Sequence, residues 1–388
     1  MKKVCVFTGG RAEYGLLIPL IERLEEASDI ELQLLVTGMH LSPEFGLTYQ
    51  KILEDGHQIS EKVEMILSSD SSVSICKSMG LGMIGYADAL ERLKPDMVVT
   101  LGDRFENMAV STTCWTMRIP VAHIQGGEKT KGAIDDQFRH CITKLSLLHF
   151  TATEEYRKRV IQLGEHPDRV WNVGALNVEA MRRVPLLSKE SLQNKLEIDL
   201  EQKVVVITYH PVTLEKLESS KYFGEFLKAI DKLQGCFLIF TKTLADTDGR
   251  AINSMIDDYV ARNRNKSIAR TSLGQLIYVN LLRYASLVIG NSSSGIIETP
   301  TFRVPTVNVG MREEGRIMAP NVISCDNLES EIFDAALKAM STEFVESIQK
   351  MENPYEKSET SALILEGIRS GLDYKNTMKD FYDLECQP

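Results

Sequence analysis

The stretch Lys2–Leu24, KKVCVFTGGRAEYGLLIPLIERL, decides the fold. KKVCVF is a short apolar run of the kind that forms a buried strand, and Gly9–Gly10 supplies a tight turn. Leu16, Leu17, Leu20, Ile21 and Leu24 then recur at helical spacing. Strand, glycine turn and helix in that order form the opening of a parallel α/β domain. The same rhythm runs on through ELQLLVTG, DMVVTLGD, VAHIQGG, LHFTATE and RVWNVGA, and restarts in KVVVITYHP, CFLIFTKT, SLVIGNSSSG and VPTVNVG. The two series predict two doubly wound domains, residues 1–180 and 203–355. Between them lies a mixed-charge linker from about Ala180 to Gln202 containing Pro185, and a helical tail at 356–388 is expected to pack on the first domain. Ligands are expected in a cleft between the domains, at the carboxyl ends of the strands.

Composition narrows the function classes. A chain of 388 residues with 43% apolar side chains has enough material for two cores. A formal charge of −10 without a Lys/Arg block argues against nucleic-acid and membrane-surface partners. The start MKKVCVFTGG is broken by glycines before any signal-peptide core can form, and no run is long enough for a membrane span. Seven cysteines without a CxxC pair fit reduced packing thiols in the cytoplasm.

Chemistry is sought just after each strand. SLVIGNSSSGIIETP ends a strand at Gly290 and starts a short helix near Gly295, a place where backbone N–H groups and the hydroxyls of Ser293 and Ser294 can cradle a phosphate. A solvated serine turn capping a helix would have the same sequence. Glu298, one turn on from Ser294, has the acceptors for two ribose hydroxyls, and Tyr278 the ring to stack on a uracil. His210 closes the strand before Pro211, where an imidazole can meet a pyrophosphate. Arg11 opens the first helix, where a guanidinium can hold a phosphate with two hydrogen bonds.

Three further strand or loop ends carry carboxylates: Asp103 in LGDR, Glu128 in IQGGE, and the pair Asp135–Asp136 at the start of a helix that continues into Arg139 and His140. Clustered carboxylates divide naturally into acids and bases. Adjacent helical residues point in different directions, so only one of Asp135 and Asp136 need be catalytic. The absence of HExxH, of a Cys/His cluster, of a Walker lysine motif and of GxGxxG leaves neither a metal nor a bound cofactor required.

Taken together and in order, GGRAEYGLLIPL, VTGMHLSPEFG, LGDRFE, HIQGGEKTKGAIDDQFRHCITKLS, TEEYRKRVIQLGE, TYHPVTLE and GNSSSGIIETP resemble the hydrolysing UDP-N-acetylglucosamine 2-epimerase family over about residues 1–325. The resemblance implies a fold like glycosyltransferase B, with UDP held mainly by the second domain. It implies carboxylate chemistry at Asp103, Glu128 and Asp135 or Asp136, and nucleotide contacts at Arg11, His210, Ser293, Ser294 and Glu298; the residue pattern itself adds Gly295 to the phosphate ligands and Tyr278 to the uracil. Such an enzyme serves sialic-acid-type sugar synthesis, converting UDP-N-acetylglucosamine and water to UDP and N-acetylmannosamine. Its partners are the UDP-sugar, UDP and further copies of the chain in a dimer or tetramer. Gln125 stands where the family often has histidine, and GMREEGR replaces the usual GDRQKGR, placing Met311 and Glu314 in new positions. Both departures bear on which sugar is bound. The same reaction on UDP-2,4-diacetamido-2,4,6-trideoxyglucose is the nearest alternative; a UDP-sugar glycosyltransferase and a noncatalytic UDP-sugar sensor are the others. The carbon 2 hydrogen of such a sugar is not beside a ketone. Loss of UDP to give a 2-acetamido glycal, followed by hydration from the opposite face, is therefore the expected route.

Overall fold

The computed structural model describes residues 1–67, 69, 71–211, 219–243, 249–374 and 378–384. Residues 212–215 of TYHPVTLE, part of the expected helical tail and Cys386 lie outside them.

The chain divides into two compact units. Unit 1 comprises 1–128, 135–180 and 355–388, and its strands are β1 Lys2–Thr8, β2 Ile30–Thr37, β3 Glu61–Val63, β4 Met97–Leu101, β5 Val121–Ile124, β6 Leu148–Thr151 and β7 Val170–Asn172. They form one parallel sheet in the order β3-β2-β1-β4-β5-β6-β7. Alternation along β1 builds both faces of the core. Val4 and Val6 join the cluster that includes Leu17, Leu20 and Leu24 of the helix Arg11–Glu26, whereas Cys5 and Phe7 join Tyr86 and Leu90 of the helix Ser72–Leu93. Both faces are covered, so β1 is a continuous apolar run and not an alternating one.

Unit 2 comprises 129–134 and 181–354, with β8 Lys203–Thr208, β9 Cys236–Thr241, β10 Ser267–Arg270, β11 Ala285–Gly290, β12 Thr306–Val309 and β13 Val322–Cys325 in the order β10-β9-β8-β11-β12-β13. It too is all parallel, with an apolar cluster on each face. The expected α/β class with two doubly wound, Rossmann-like sheets is what the chain adopts. In each, the strand order reverses beside the first strand, between β1 and β4 and between β8 and β11.

Three details differ from the sequence reading. The short strands β3, β10 and β13 were not expected. The stretch expected to be a linker is packed: Met181, Val184, Leu192, Leu196, Ile198 and Leu200 form part of the second unit's core, with Leu192 and Leu196 one turn apart on the helix Lys189–Leu196. The described part of the tail has one helix, Thr360–Leu372, while 378–384 is non-helical. Cys5, Cys114 and Cys236 are buried thiols, and Cys76 and Cys141 are exposed.

Candidate functional site

In unit 1 the reversal of strand order brings the turns after β1 and β4 side by side. Asn107 joins them, donating to Glu13 Oε1 at 3.0 Å and to the Leu101 carbonyl. Glu13 in turn accepts from the Gly9 amide at 2.6 Å. Burial, only partly offset by these hydrogen bonds, raises the Glu13 carboxyl to about 7. Glu106 is fully buried beside it, with Arg104 Nε 3.3 Å from its Oε2. Sequence reading passed over Glu13 and Glu106, since a glutamate near a helix start is an ordinary favourable charge. Arg11 opens the helix Arg11–Glu26 and is exposed at this end of the sheet.

Asp103 lies two residues beyond β4, and its carboxylate accepts from Arg139 Nη2. Arg139 is 2% exposed, and its Nη1 stands 3.4 Å from Asp136 Oδ1. His140 Nε2 is 3.8 Å from Asp136 Oδ2. One buried guanidinium thus gathers two of the expected carboxylates, Asp103 from a loop and Asp136 from the helix Ile134–Leu145. Asp135, its neighbour on that helix, is half-buried.

Glu128 belongs to the turn after β5 and is 3% exposed. The turn is fixed on both sides. Gly127 has φ +81°, and a Cβ there would stand 2.5 Å from the Tyr156 carbonyl, so only glycine fits. Arg159 Nη1 donates to the Gly127 carbonyl at 2.5 Å, and Gln125 Nε2 to Asn177 Oδ1 at 2.5 Å. Behind the turn His123 bridges Gly102 O at 2.7 Å and Thr143 Oγ1 at 3.2 Å, and burial pulls it down to about 3, so the imidazole is neutral.

In unit 2 the turn after β11 is equally constrained. Gly290 has φ +147°, and a Cβ would stand 1.9 Å from the Thr208 carbonyl of the neighbouring β8. Asn291 then uses its side chain as a clamp, accepting from the His210 amide at 2.6 Å and donating to the His210 carbonyl at 2.8 Å. This holds His210 at the end of β8. A small open recess is lined here by Thr208, Tyr278, Gly290, Ser292, Gly295 and Asn308, among others.

A chain of hydroxyls crosses one edge of the recess. Ser294 Oγ donates to Glu298 Oε2 at 2.5 Å, and because a serine has a single hydroxyl proton, Tyr278 must donate to Ser294. Burial, reinforced by the Glu298 charge, raises the Tyr278 hydroxyl and keeps it protonated. The Tyr278 ring packs on the second unit's core. Ser293 precedes the four-residue helix Ser294–Ile297, with no side-chain capping bond of its own. The Gly295 amide, expected to face a phosphate, donates to Ser292 O at 3.0 Å, so what Gly295 offers is the space of a missing side chain: a Cβ would lie 3.1 Å from Thr306. Arg312, outside the expected set, donates to Asn291 O at 3.0 Å and meets the buried Glu313 at 2.5 Å.

Among the described residues no group of three or more His, Cys, Asp or Glu side chains is placed to hold a metal ion, and no helix is long and apolar enough to cross a membrane.

The fold is similar to that of solved enzymes. A Neisseria meningitidis structure described as UDP-GlcNAc 2-epimerase bound to UDP-GlcNAc superposes with a TM-score of 0.83 at 21% identity, covering 95% of this chain and 100% of that one. In sequence, the chain is 43% identical over 343 residues, 88% of each protein, to the GDP/UDP-N,N'-diacetylbacillosamine 2-epimerase (hydrolyzing) of Campylobacter jejuni. It is 35% identical to the polysialic acid biosynthesis protein P7 of Escherichia coli, covering 100% of this chain and 99% of that protein. The family model for UDP-N-acetylglucosamine 2-epimerase matches residues 22–369. With nearly the whole length matched, the chain belongs to the UDP-N-acetylglucosamine 2-epimerase family.

Proposed function

We propose that this chain is a hydrolysing 2-epimerase of a nucleotide-linked 2-acetamido sugar, and that its substrate is UDP-N,N'-diacetylbacillosamine, the 2,4-diacetamido-2,4,6-trideoxyglucose. The observation that carries the reaction class is the buried Arg139 holding Asp103 and Asp136 together beside the rigid Glu128 turn. A glycosyltransferase or a sensor would need no such set of acids. The choice of sugar is supported by the 43% identical Campylobacter jejuni protein. UDP-N-acetylglucosamine, giving N-acetylmannosamine, is the second reading, favoured by the family that matches residues 22–369.

In the first half-reaction a carboxylate takes the proton from carbon 2 as the bond between carbon 1 and the diphosphate oxygen breaks, leaving UDP and a 2-acetamido glycal. In the second, a carboxylic acid returns a proton to carbon 2 from the opposite face while water adds through its oxygen to carbon 1. Its remaining proton passes to a base, and the free 2-epimeric sugar results. Asp103, Glu128 and Asp135 or Asp136 supply the base, the acid and the group that orients water. On the nucleotide, the Glu298 carboxylate is an acceptor of the kind that suits ribose hydroxyls. Ser293, His210 and Arg11 supply donors to the diphosphate, whose charge grows as it leaves, and Ser294 orients Glu298 beside them.

Side-by-side turnover of UDP-N,N'-diacetylbacillosamine, its GDP analogue and UDP-N-acetylglucosamine tests the assignment. A kcat/KM at least about tenfold higher for the diacetamido UDP-sugar is expected, since a site built to hydrogen-bond a second acetamido group discriminates against its absence. A preference for UDP-N-acetylglucosamine establishes the second reading. Release of UDP from none of them, with or without an acceptor sugar, removes the enzyme.

A further inference from the structure

The helix Ile134–Leu145 does more for Asp103 than carry Arg139. Thr143, one turn beyond Arg139 and on the same buried face, bonds His123, which bonds the carbonyl of Gly102, the residue before Asp103. The Asp103 turn is therefore held at two points of a single helix, at its side chain by Arg139 and at its backbone through Thr143 and His123. Any sliding or fraying of that helix moves both. Its C-terminal carbonyls have no partners within the helix and need donors from elsewhere.

The adjoining Ser146 supplies two, its hydroxyl to Ile142 O at 2.7 Å and its amide to Thr143 O at 3.1 Å, and a further donor comes from a distant part of the chain. Lys379 Nζ lies 3.3 Å from the carbonyl of Thr143 and 2.7 Å from those of Lys144 and Ser146. It is 6% exposed and pairs at 2.7 Å with Glu165 Oε2, itself buried against His149 Nε2 at 2.9 Å and tied to Lys144 at 2.6 Å. A cation at a helix C-terminus is favourable, and more so when shielded from water. The segment Met378–Leu384 is held in place to deliver it. Arg169 donates to the Met378 carbonyl at 3.3 Å, the Tyr382 amide donates to Gly164 O at 2.9 Å, and the Phe381 ring occupies the space a side chain at Gly164 would need.

We infer that Lys379 is a positioning residue for Asp103, fixing through the helix Ile134–Leu145 the two anchors, Arg139 and Thr143, that set where the Asp103 carboxylate stands. The inference rests on the proposed role of Asp103 in turnover. It deepens that role without adding a group that touches substrate.

The charge on Lys379 is titratable in a working range. Burial lowers it to about 8, with Lys144 and Arg169 acting in the same direction and Glu165 opposing; His149, neutral because burial holds it near 4, completes the groups facing it. As pH rises through about 8 the ammonium loses its proton and its hold on the carbonyls, so kcat is expected to fall on that limb.

The test compares Lys379→Met and Lys379→Arg with the wild type over pH 6 to about 10 on whichever nucleotide sugar the chain turns over, with the UDP-induced thermal shift read on each protein. The expected result for Lys379→Met at pH 7 is a kcat lower by about tenfold or more, with KM and the UDP response within about twofold of wild type and the alkaline limb flattened. Small displacements of a reacting group have effects of that size. Lys379→Arg, charged at every pH tested, should recover most of kcat and move the limb upward. A kcat for Lys379→Met within about twofold of wild type overturns the inference, as does an alkaline limb that persists unchanged in both variants. If Lys379→Met does not fold, the limb of Lys379→Arg decides alone. Asp103→Asn run alongside separates the two claims: should it keep normal turnover, the role of Asp103 fails whatever Lys379 does.

Discussion

Asp103→Asn is expected to lower kcat by about a thousandfold while leaving the response to UDP intact. General acid–base groups contribute on the order of a hundredfold to ten-thousandfold, and the carboxylate of Asp103 cannot be replaced in proton transfer by an amide of the same shape. UDP contacts are proposed for residues of the second unit and Arg11, so the thermal shift that saturating UDP produces, measured from each protein's own baseline, should persist. The baseline itself should drop. Arg139 is buried and loses a charged partner, but Asp103 is partly exposed and Asp136 stays at 3.4 Å, so the loss is that of one charge-assisted hydrogen bond, about 2 kcal/mol. Glu128→Gln should lose turnover to a similar degree, and Asp135→Asn and Asp136→Asn should differ from each other because adjacent helical residues point in different directions and Asp136 lies against Arg139 and His140. Near-normal turnover in both Asp103→Asn and Glu128→Gln would make the carboxylate set structural.

Ser294→Phe should weaken UDP binding about a hundredfold. Ser294 sits between the Tyr278 hydroxyl and Glu298, and a phenyl ring there crowds the turn after β11 and breaks both hydrogen bonds at once. Glu298→Ala keeps the space but removes the acceptor proposed for the ribose, and should weaken binding about tenfold, the cost of an unmatched polar group. Isothermal titration with UDP reads both. Wild-type affinity in the two variants would take the nucleotide away from this turn.

The parts of this fold that could be read from sequence are those with buried parallel strands. β1, β4, β8 and β11 pack apolar clusters on both faces, so their central residues, Val4–Phe7, Met97–Val99, Val204–Ile207 and Leu287–Ile289, are consecutively apolar and each announces itself as a run. The edge strands β3, β10 and β13 are three or four residues long and partly exposed, too short for a run or an alternation to stand out. The stretch after Ala180 read as a linker because Pro185 and its charges hide the spacing of Met181, Val184, Leu192 and Leu196, four contributors to the second core. At the candidate site, the positions of residues that follow strands were legible because a parallel sheet places the turns after its strands along one end. What holds them was not. Arg139 is one arginine in a charged helix until its burial against Asp103 is seen, Asn291 looks like a turn residue, and Lys379 reaches its carbonyls from more than 200 positions away.

The central claim is that UDP leaves before carbon 2 is reprotonated, and turnover in heavy water tests it most directly. The proton removed from carbon 2 is exchanged with solvent or lost to it, and its replacement comes from a different group on the opposite face. The released 2-epimeric sugar should therefore carry deuterium at carbon 2 in essentially every molecule, and the 2-acetamido glycal supplied with UDP should be hydrated to the same product. A product that keeps its original hydrogen at carbon 2, or a sugar released without inversion there, would contradict the elimination and rehydration scheme.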